Sequence, residues 1–293
     1  MLITPLPGTN RDNLIEVLRG EQTKVINLRG RHFGSAYQAL LAYLSWSSDA
    51  VRMLRGQIRA ADIDRLVLTR RHGALLDGVG HLAGSDQQAF VNGIVGLELD
   101  ERIEEFEKAI KEYTALTERW NPSRRILVPD TTLFIQHPEK IEHADFAALL
   151  GGGPEPVHVL VPMMVVDELD VLKETKDKRA RWRAGYSLAV LDRVIREPGA
   201  VLHKANVGQD TDGDDPARGE VTVELLFDPP GHARLPNPDD EIVDRAVVAQ
   251  ALAGAPVTLV TYDTGQSTRG WAAELRVTKL RSDAGTGPEP AKA

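Results

Sequence analysis

Residues 126–130 read ILVPD, a short apolar run of β-favouring residues that ends in a proline and an aspartate. A similar arrangement returns in VTLVTYD at 257–263, and VHVLVP at 157–162 is a third continuous apolar run. Strands that are apolar on successive residues, rather than on alternate ones, are typical of a parallel sheet covered on both faces. These three runs therefore predict the centre of an α/β sheet.

Helical patterns separate these runs and extend the predicted fold to residues 124–281. The helices are predicted at about 139–150, 163–196 and 239–254, and a fourth strand at 275–280. Between residues 200 and 236, AVLHKANV and EVTVELLF flank the polar segment GQDTDGDDPARG, which predicts an inserted β-hairpin. We therefore expect an α/β domain whose mainly parallel sheet is flanked by helices.

Residues 1–120 have a different pattern and predict an all-α N-terminal domain. Apolar positions recur at helical spacing in SAYQALLAYLSWSSDAVRMLRGQI (35–58) and in FVNGIVGLELDERIEEFEKAIKEYTAL (90–116). WNPSRR, at 120–125, predicts a linker with a boundary near 121, because a residue that precedes proline disfavours helix. A break between helices is predicted from four glycines, Gly73, Gly78, Gly80 and Gly84.

Composition limits the classes of protein that fit. The chain of 293 residues has a net charge of −8 and no cysteine, which excludes disulfides and thiolate metal sites. It begins without a signal-like segment and has no apolar stretch long enough to span a membrane, so we expect a cytoplasmic protein without membrane contacts. The polar tail at 282–293, rich in proline and glycine, is expected to be disordered.

Acidic residues fall where the predicted sheet would bring them together. Asp130 and Asp263 end two strands, and Glu168 lies about two helical turns after a third. Asp239 and Asp240 open the helix that leads into the strand at 257–261. Because ligands of open parallel sheets bind outside the carboxyl ends of the strands, we expect these carboxylates to meet at one edge.

A local explanation also exists for the acids in PNPDDEIVDR, residues 236–245. Asn237 suits an N-cap, Pro238 suits the first helical position, and carboxylates in the first turn favour the helix dipole. We assign Glu241 and Asp244 to this local role. Asp239 and Asp240 remain candidates for the edge of the sheet.

Four carboxylates placed close together repel one another unless cations compensate them. Mg²⁺ prefers hard oxygen ligands and retains several waters, so a few carboxylates and a substrate phosphate complete its coordination. With two ions, one activates the attacking water and the other stabilises the leaving oxygen of a phosphodiester. The pattern therefore indicates nuclease chemistry.

Four segments resemble the motifs of the PIN-domain nucleases, in the order and on the elements that the family uses. They are RILVPDTTLFI, VLVPMMVVDELDVLK, PNPDDEIVDRAVVAQAL and VTLVTYDTGQSTRGWAAEL, and the resemblance covers about residues 124–281. It implies a PIN-like fold with Mg²⁺ or Mn²⁺, as one or two ions. The implied catalytic and metal-binding residues are Asp130, Glu168, Asp239 and Asp263, with Asp240 as a replacement or additional metal ligand. Thr132 stands where the family often has asparagine or another small polar residue.

A basic segment follows Glu168 and is the predicted phosphate-binding surface. In KETKDKRARWR (173–183), the substrate-binding candidates are Lys173, Lys176, Arg179 and Arg183, the last three on one face if the segment from 176 is helical. A solvated helix face is the alternative. Trp182 suits either stacking on an unpaired base or packing. A weaker extension of the phosphate path comprises Arg269, Arg276, Lys279 and Arg281.

The expected function is that of a metal-dependent endoribonuclease acting on single-stranded RNA. The alternatives are a structure-specific DNA nuclease and a catalytically silent PIN-like module that binds RNA or protein. RNA selection, homo-oligomerisation and autoinhibition are all open roles for the helical domain. A calcium loop at 210–221 is disfavoured because Asp215 and Val221 replace the expected glycine and glutamate.

Overall fold

The computed structural model describes residues 3–82, 87–120, 124–153, 155–196, 199–205, 219–229 and 231–281. The chain forms two units. The first comprises the residues up to Arg119 together with Ala251–Gly254, and the second comprises Trp120–Gln250 and the residues from Ala255 onward.

The first unit is helical. Asn10 and Ser35 cap two of its helices, their side chains accepting hydrogen bonds from the backbone N–H groups of Asn13 (2.9 Å) and Gln38 (3.2 Å). The apolar faces of these helices pack against the longest helix. In chain order the helices are α1 (Arg11–Gly30), α2 (Ala36–Leu54), α3 (Ala60–Leu66), α4 (Arg70–Leu82) and α5 (Gln88–Arg119).

The glycine-rich segment differs from its prediction. Gly73, Gly78 and Gly80 lie inside α4, and the prediction of a break there is wrong. Glycine costs helix stability, but neighbouring packing compensates: Leu75 is buried and His72 bonds to Ser47 (2.9 Å). Gly84 lies outside the described residues.

The second unit alternates strands and helices, as the sequence predicted. Its continuous apolar runs form strands that are almost fully buried. The strands are β1 (Arg125–Pro129), β2 (Val157–Pro162), β3 (Ala200–His203), β4 (Val221–Leu226), β5 (Val257–Thr261) and β6 (Arg276–Lys279). The helices are α6 (Thr131–Gln136), α7 (Phe146–Leu149), α8 (Met163–Leu172), α9 (Lys178–Val194), α10 (Pro238–Ala253) and α11 (Thr264–Ala272). The last residues of α10, from Ala251, are assigned to the first unit.

These strands form a mixed sheet in the order β3-β4-β2-β1-β5-β6 within the described residues. Every pairing is parallel except that of β3 with β4. The predicted hairpin is therefore present, but its second strand also pairs with β2 and is part of the main sheet. The fold class is confirmed as a PIN-like α/β arrangement preceded by a helical region.

Two helix predictions in this unit need correction. The segment predicted as a helix at 139–150 contains only the short α7, while an unpredicted helix, α6, directly follows β1. Pro138 explains the end of α6, because His137 before it adopts an extended ψ of 136°. The helix predicted at 163–196 is two helices, since Asp177 caps α9 through the backbone N–H groups of Arg179 and Ala180.

Other predictions fall outside the described residues. They are most of the polar segment of the hairpin and its disfavoured calcium loop, and the tail at 282–293. Within the described part of the chain, no helix is both long and apolar enough to cross a membrane.

Candidate active site

The site lies at the carboxyl edge of the parallel sheet. Asp130 follows β1, and Asp263 follows the neighbouring strand β5. The chain passes from β1 to β2 on one side and later returns to β5 on the other, so the strand order reverses between them. Such a switch point is where open α/β sheets form their ligand-binding crevice.

Asp130 is buried and held by donors that carry no charge. Its Oδ1 accepts hydrogen bonds from Thr132 Oγ1 (2.6 Å) and the Leu133 N–H (3.2 Å), and its Oδ2 accepts one from Thr261 Oγ1 (2.5 Å). Burial raises the pKa of Asp130 to about 6, although these hydrogen bonds oppose the shift. The carboxylate is therefore fixed in direction but costly to ionise.

Thr132 and Thr261 connect the segment that carries Asp130 with the segment that carries Asp263. Thr132 Oγ1 accepts from the Tyr262 N–H (2.9 Å), and Thr261 Oγ1 accepts from the Asp263 N–H (2.8 Å). Asp263 in turn caps α11, its Oδ1 accepting from the Gln266 N–H at 2.7 Å. Thr132 thus supplies the supporting hydrogen bond expected of the small polar residue at this position.

Glu168 reaches the same edge from α8. Thr131 Oγ1, in the first turn of α6, donates a hydrogen bond to Glu168 Oε2. Burial raises the pKa of Glu168, and the nearby Asp239 carboxylate raises it further. The contact with Thr131 ties Glu168 to the segment that directly follows Asp130.

Asp239 and Asp240 occupy the start of α10, where Asn237 Oδ1 accepts from the Asp239 N–H at 2.9 Å. Both are partly exposed, and both contact Arg269 of α11. Arg269 Nε donates to Asp240 Oδ1 at 2.8 Å, whereas Arg269 Nη1 lies 3.4 Å from Asp239 Oδ2. Asp240 is therefore the more closely held of the two.

Mutual repulsion links the four acids named as catalytic candidates. Asp263 raises the pKa of Asp130, and Asp239 raises that of Glu168. The pKa of Asp239 is raised by burial first, then by Asp263 and Asp240, against the lowering effect of Arg269. The structure thus brings together carboxylates from four separate segments.

This donor set fits a hard divalent cation. All its donor atoms are oxygens, and no Lys or Arg of the described residues forms an ion pair with Asp130, Glu168 or Asp263. Within the described residues no three of these acids place ligand oxygens within 4.8 Å of one another. Mg²⁺ is bound in proteins by one or two carboxylates with waters and substrate oxygens, so it does not require a closer set. A bound cation would relieve both the burial cost and the repulsion.

A separate group of ligand-type atoms lies in and just before the start of α10. Asp228, His232 and Glu241 place one such atom each within 4.8 Å of one another, the sole group of this kind in the described residues. Glu241, however, is fully buried: its Oε2 accepts from the Leu235 N–H (2.8 Å), and its Oε1 lies 2.8 Å from His232 Nε2 and 3.3 Å from Arg245 Nε. Its carboxylate holds the segment before α10 in place. The predicted local role of Glu241 thus extends beyond the helix dipole.

The predicted substrate-binding residues have different environments. Lys173 pairs with Asp170 at 2.5 Å, Lys176 is exposed but precedes α9, and Arg179 is exposed in its first turn. The predicted shared helix face is therefore wrong for Lys176.

Arg183 is the clearest departure from the predicted phosphate-binding surface. It is buried, and its guanidinium donates to the backbone carbonyls of Phe134 (3.0 Å), His137 (2.8 Å) and Glu139 (2.6 Å). These bonds fix the end of α6 and the turn after it. Arg183 therefore positions the helix that Asp130 caps instead of facing a phosphate.

Trp182 points outward from α9. Its side chain is 53% exposed and stacks on Tyr186, with ring centroids 5.1 Å apart and planes inclined by 17°. Lys140 Nζ lies 5.4 Å from the Trp182 centroid and 4.9 Å from that of Tyr186. Exposed cationic residues precede it, so the start of α9 combines an aromatic face with positive charge.

Several residues of the site were missed by sequence reasoning. Thr131 and Thr261 were not identified, although a hydroxyl residue beside a motif acid is a readable signal. The sequence assigns Arg269 only to an extension of the phosphate path. Arg276 does not extend that path, because it begins β6 opposite Thr258 and so lies at the other edge of the sheet.

The sequence profile described as "PIN domain" matches residues 127–281, just over half of the chain. The chain belongs to the PIN-domain family. The match includes Asp130 and the three motifs that follow it. PIN domains are usually nucleases that use divalent metal ions. The family thus supports the coarse assignment of a hydrolase or PIN-like module.

Comparisons with individual proteins add little to the PIN-domain assignment. No curated protein matches the chain. Among solved structures, the crystal structure of eIF2B beta from Chaetomium thermophilum aligns with 11% identity, covering 86% of this chain and 74% of that one, at a TM-score of 0.23. A TM-score this low supports no conclusion about fold or function.

Proposed function

We propose that this PIN-domain protein is a Mg²⁺- or Mn²⁺-dependent endoribonuclease that hydrolyses phosphodiester bonds within single-stranded RNA. The supporting observation is the electrostatic coupling of Asp130, Glu168, Asp239 and Asp263 at the switch point of the sheet. Within the described ranges, no Lys or Arg forms an ion pair with Asp130, Glu168 or Asp263. We assign residues 124–281 as the catalytic domain and 1–120 as an accessory domain, in the cytoplasm.

Asp130, Glu168, Asp239 and Asp263 would hold the metal, with Asp240 as the lesser candidate. Bound metal would supply a lowered pKa for water and stabilisation of the leaving oxygen. The chain's own contribution is orientation. Thr132 and Thr261 fix the two oxygens of Asp130, so the carboxylate needs no rearrangement when substrate arrives.

The start of α9 supports a single-stranded substrate. Lys178, Arg179 and Arg181 are exposed there and suit phosphate binding, and the half-exposed Trp182 suits stacking with an unpaired base. A paired base has its faces covered by its neighbours. We therefore expect Trp182→Ala to weaken binding of single-stranded RNA by roughly 1–3 kcal/mol and binding of a duplex much less.

The decisive experiment is cleavage of a labelled circular single-stranded RNA by the full-length protein, with Mn²⁺ or with chelator. A circular substrate has no ends, so its conversion to linear RNA requires an internal cut. We expect cleavage with Mn²⁺, none with chelator, and none by Asp130→Asn. Asp192→Asn, an exposed acid of α9, is the matched control and should remain active.

Each other outcome of this experiment identifies a different function. Equal activity of Asp130→Asn would refute the proposed centre. Cleavage confined to circular single-stranded DNA or branched DNA would identify the DNA nuclease. RNA binding without cleavage under every metal condition would identify a silent PIN-like module. The mass of the protein in solution, measured in the same preparation, tests for a homo-oligomer.

A further inference from the structure

Arg269 is the one cation in contact with the catalytic acids among the described residues, and nothing in the proposed metal chemistry requires it. It extends from α11 to the start of α10, where it meets both Asp239 and Asp240. The three side chains are 36–50% exposed, and ion pairs between exposed side chains contribute little stability. Holding α10 and α11 together is therefore a weak explanation for the presence of Arg269.

The nitrogens of Arg269 make different contacts. Nε donates to Asp240 at 2.8 Å, while no Nη hydrogen donates a hydrogen bond to any residue in the described ranges. The contact of Nη1 with Asp239, at 3.4 Å, is an ion pair at longer range. Guanidinium carries five N–H donors in a planar fork, so the four Nη hydrogens of Arg269 are left without a hydrogen bond to the described residues.

Gly265 provides the space that this guanidinium occupies. A Cβ at Gly265 would lie 2.9 Å from Arg269 Nη1 and 3.1 Å from Asp263 Oδ1. The fork therefore lies over the first turn of α11, beside the acid that caps this helix. Only a residue without a side chain leaves room for Arg269 in that position.

We propose that Arg269 binds the substrate phosphate next to the metal-binding acids, that Asp240 positions it, and that Asp239 is the metal ligand of the pair. This inference rests on the proposed nuclease function and assigns separate roles to two adjacent acids. The fork geometry matches two phosphate oxygens, which a lysine cannot contact in the same way. Asp240, already bonded to Nε, would hold the guanidinium in place, while its Nη groups, one of them 3.4 Å from Asp239, contact the phosphate.

Two binding measurements test the proposal without cleavage. The first is the affinity of the full-length protein for a short fluorescent oligouridylate in Ca²⁺, and the second is Mn²⁺ affinity from calorimetry. Arg269→Ala should weaken oligouridylate binding roughly 10- to 100-fold, because it removes a charge-assisted contact, and should leave Mn²⁺ affinity unchanged or increased. Arg269→Lys should recover only part of the RNA affinity.

Substitutions of the two adjacent acids should then have different effects. Asp239→Asn should lose Mn²⁺ affinity, whereas Asp240→Asn should weaken RNA binding and keep Mn²⁺ affinity. The double variant Arg269→Ala with Asp240→Asn should bind RNA no more weakly than Arg269→Ala alone. Gly265→Ala, which displaces the fork, should reproduce part of the loss. Arg276→Ala is the matched control, since it removes the same charge from the opposite edge of the sheet.

Three results would overturn the proposal. One is wild-type RNA affinity in Arg269→Ala. Another is a change in that variant confined to tighter Mn²⁺ binding, which would make Arg269 a counter-ion only. The third is an equal loss of Mn²⁺ affinity in Asp240→Asn and Asp239→Asn. Failure of the nuclease function itself is distinguishable, because the wild type would then leave RNA uncut at every Mn²⁺ concentration.

Discussion

Replacing Asp130 by asparagine should stabilise the metal-free protein while abolishing cleavage. The structure raises the pKa of this carboxyl from 3.8 to about 6, chiefly through burial. Each pKa unit corresponds to about 1.4 kcal/mol, so the ionised form costs the folded state about 3 kcal/mol at neutral pH. Asparagine avoids that cost. Its oxygen accepts from Thr132, and its amide donates to Thr261 Oγ1 once that hydroxyl, the donor in the wild type, turns its hydrogen away.

The predicted stabilisation has a defined dependence on pH. Between pH 3.8 and about 6 the folded state binds more protons than the unfolded state, so wild-type stability falls as pH rises through this interval. The advantage of Asp130→Asn should therefore be complete above pH 7, about half as large at pH 5, and absent where the carboxyl is protonated in both states.

Thermal and urea unfolding in chelator measure this effect directly. For a unit of this size, about 3 kcal/mol corresponds to roughly 6–12 °C in melting temperature. Mn²⁺ should raise the melting temperature of the wild type more than that of Asp130→Asn, because binding to the folded state stabilises it by mass action. Asp192→Asn should change neither curve. A variant less stable than the wild type at pH 8, or an advantage that grows toward pH 5, would refute the reasoning.

Three further predictions concern structural and functional roles in the second unit. Arg183→Ala should lower the free energy of unfolding by about 2 kcal/mol, because three backbone carbonyls lose their donor, one of them in a buried bond, and should leave the salt dependence of RNA binding unchanged. Replacing Lys178 and Arg179 by alanine should do the reverse, flattening the slope of log affinity against log salt by about 1.4 without changing urea unfolding. Gly270→Ala should destabilise by about 1–3 kcal/mol, because its Cβ would lie 2.8 and 2.9 Å from side chains of β5 and β6. Gly185→Ala, whose Cβ meets nothing within 4 Å, should not destabilise in the same assay.

The strands and the acids that follow them were predictable from the sequence. A continuous apolar run can be satisfied only inside a sheet covered on both faces, and parallel strands place their carboxyl ends at one edge. Asp130 and Asp263 follow such runs directly, so their convergence required no knowledge of side-chain packing. The same logic identified β2, since every residue of that strand is buried.

Helix boundaries and the burial of charged residues were less predictable. Residues 139–150 contain enough apolar positions for a helix, but Pro138 ends α6 and the carbonyls of the following turn bond to Arg183. In the sequence Arg183 belongs to a basic run and reads as a phosphate contact. Its burial depends on α6 packing against α9, a tertiary contact that no local pattern specifies.

The three consecutive acids at the start of α10 show what local sequence cannot resolve. Successive helical residues are rotated by about 100°, so neighbours with the same charge face different surroundings. Asp239 lies among the other catalytic acids, Asp240 bonds to Arg269, and Glu241 is buried against Arg245. Only Glu241 is fully buried and fully hydrogen-bonded. The anchoring of α10 therefore rests on a residue outside the metal-facing set, so the fold tolerates repulsion among the catalytic acids when no cation is bound.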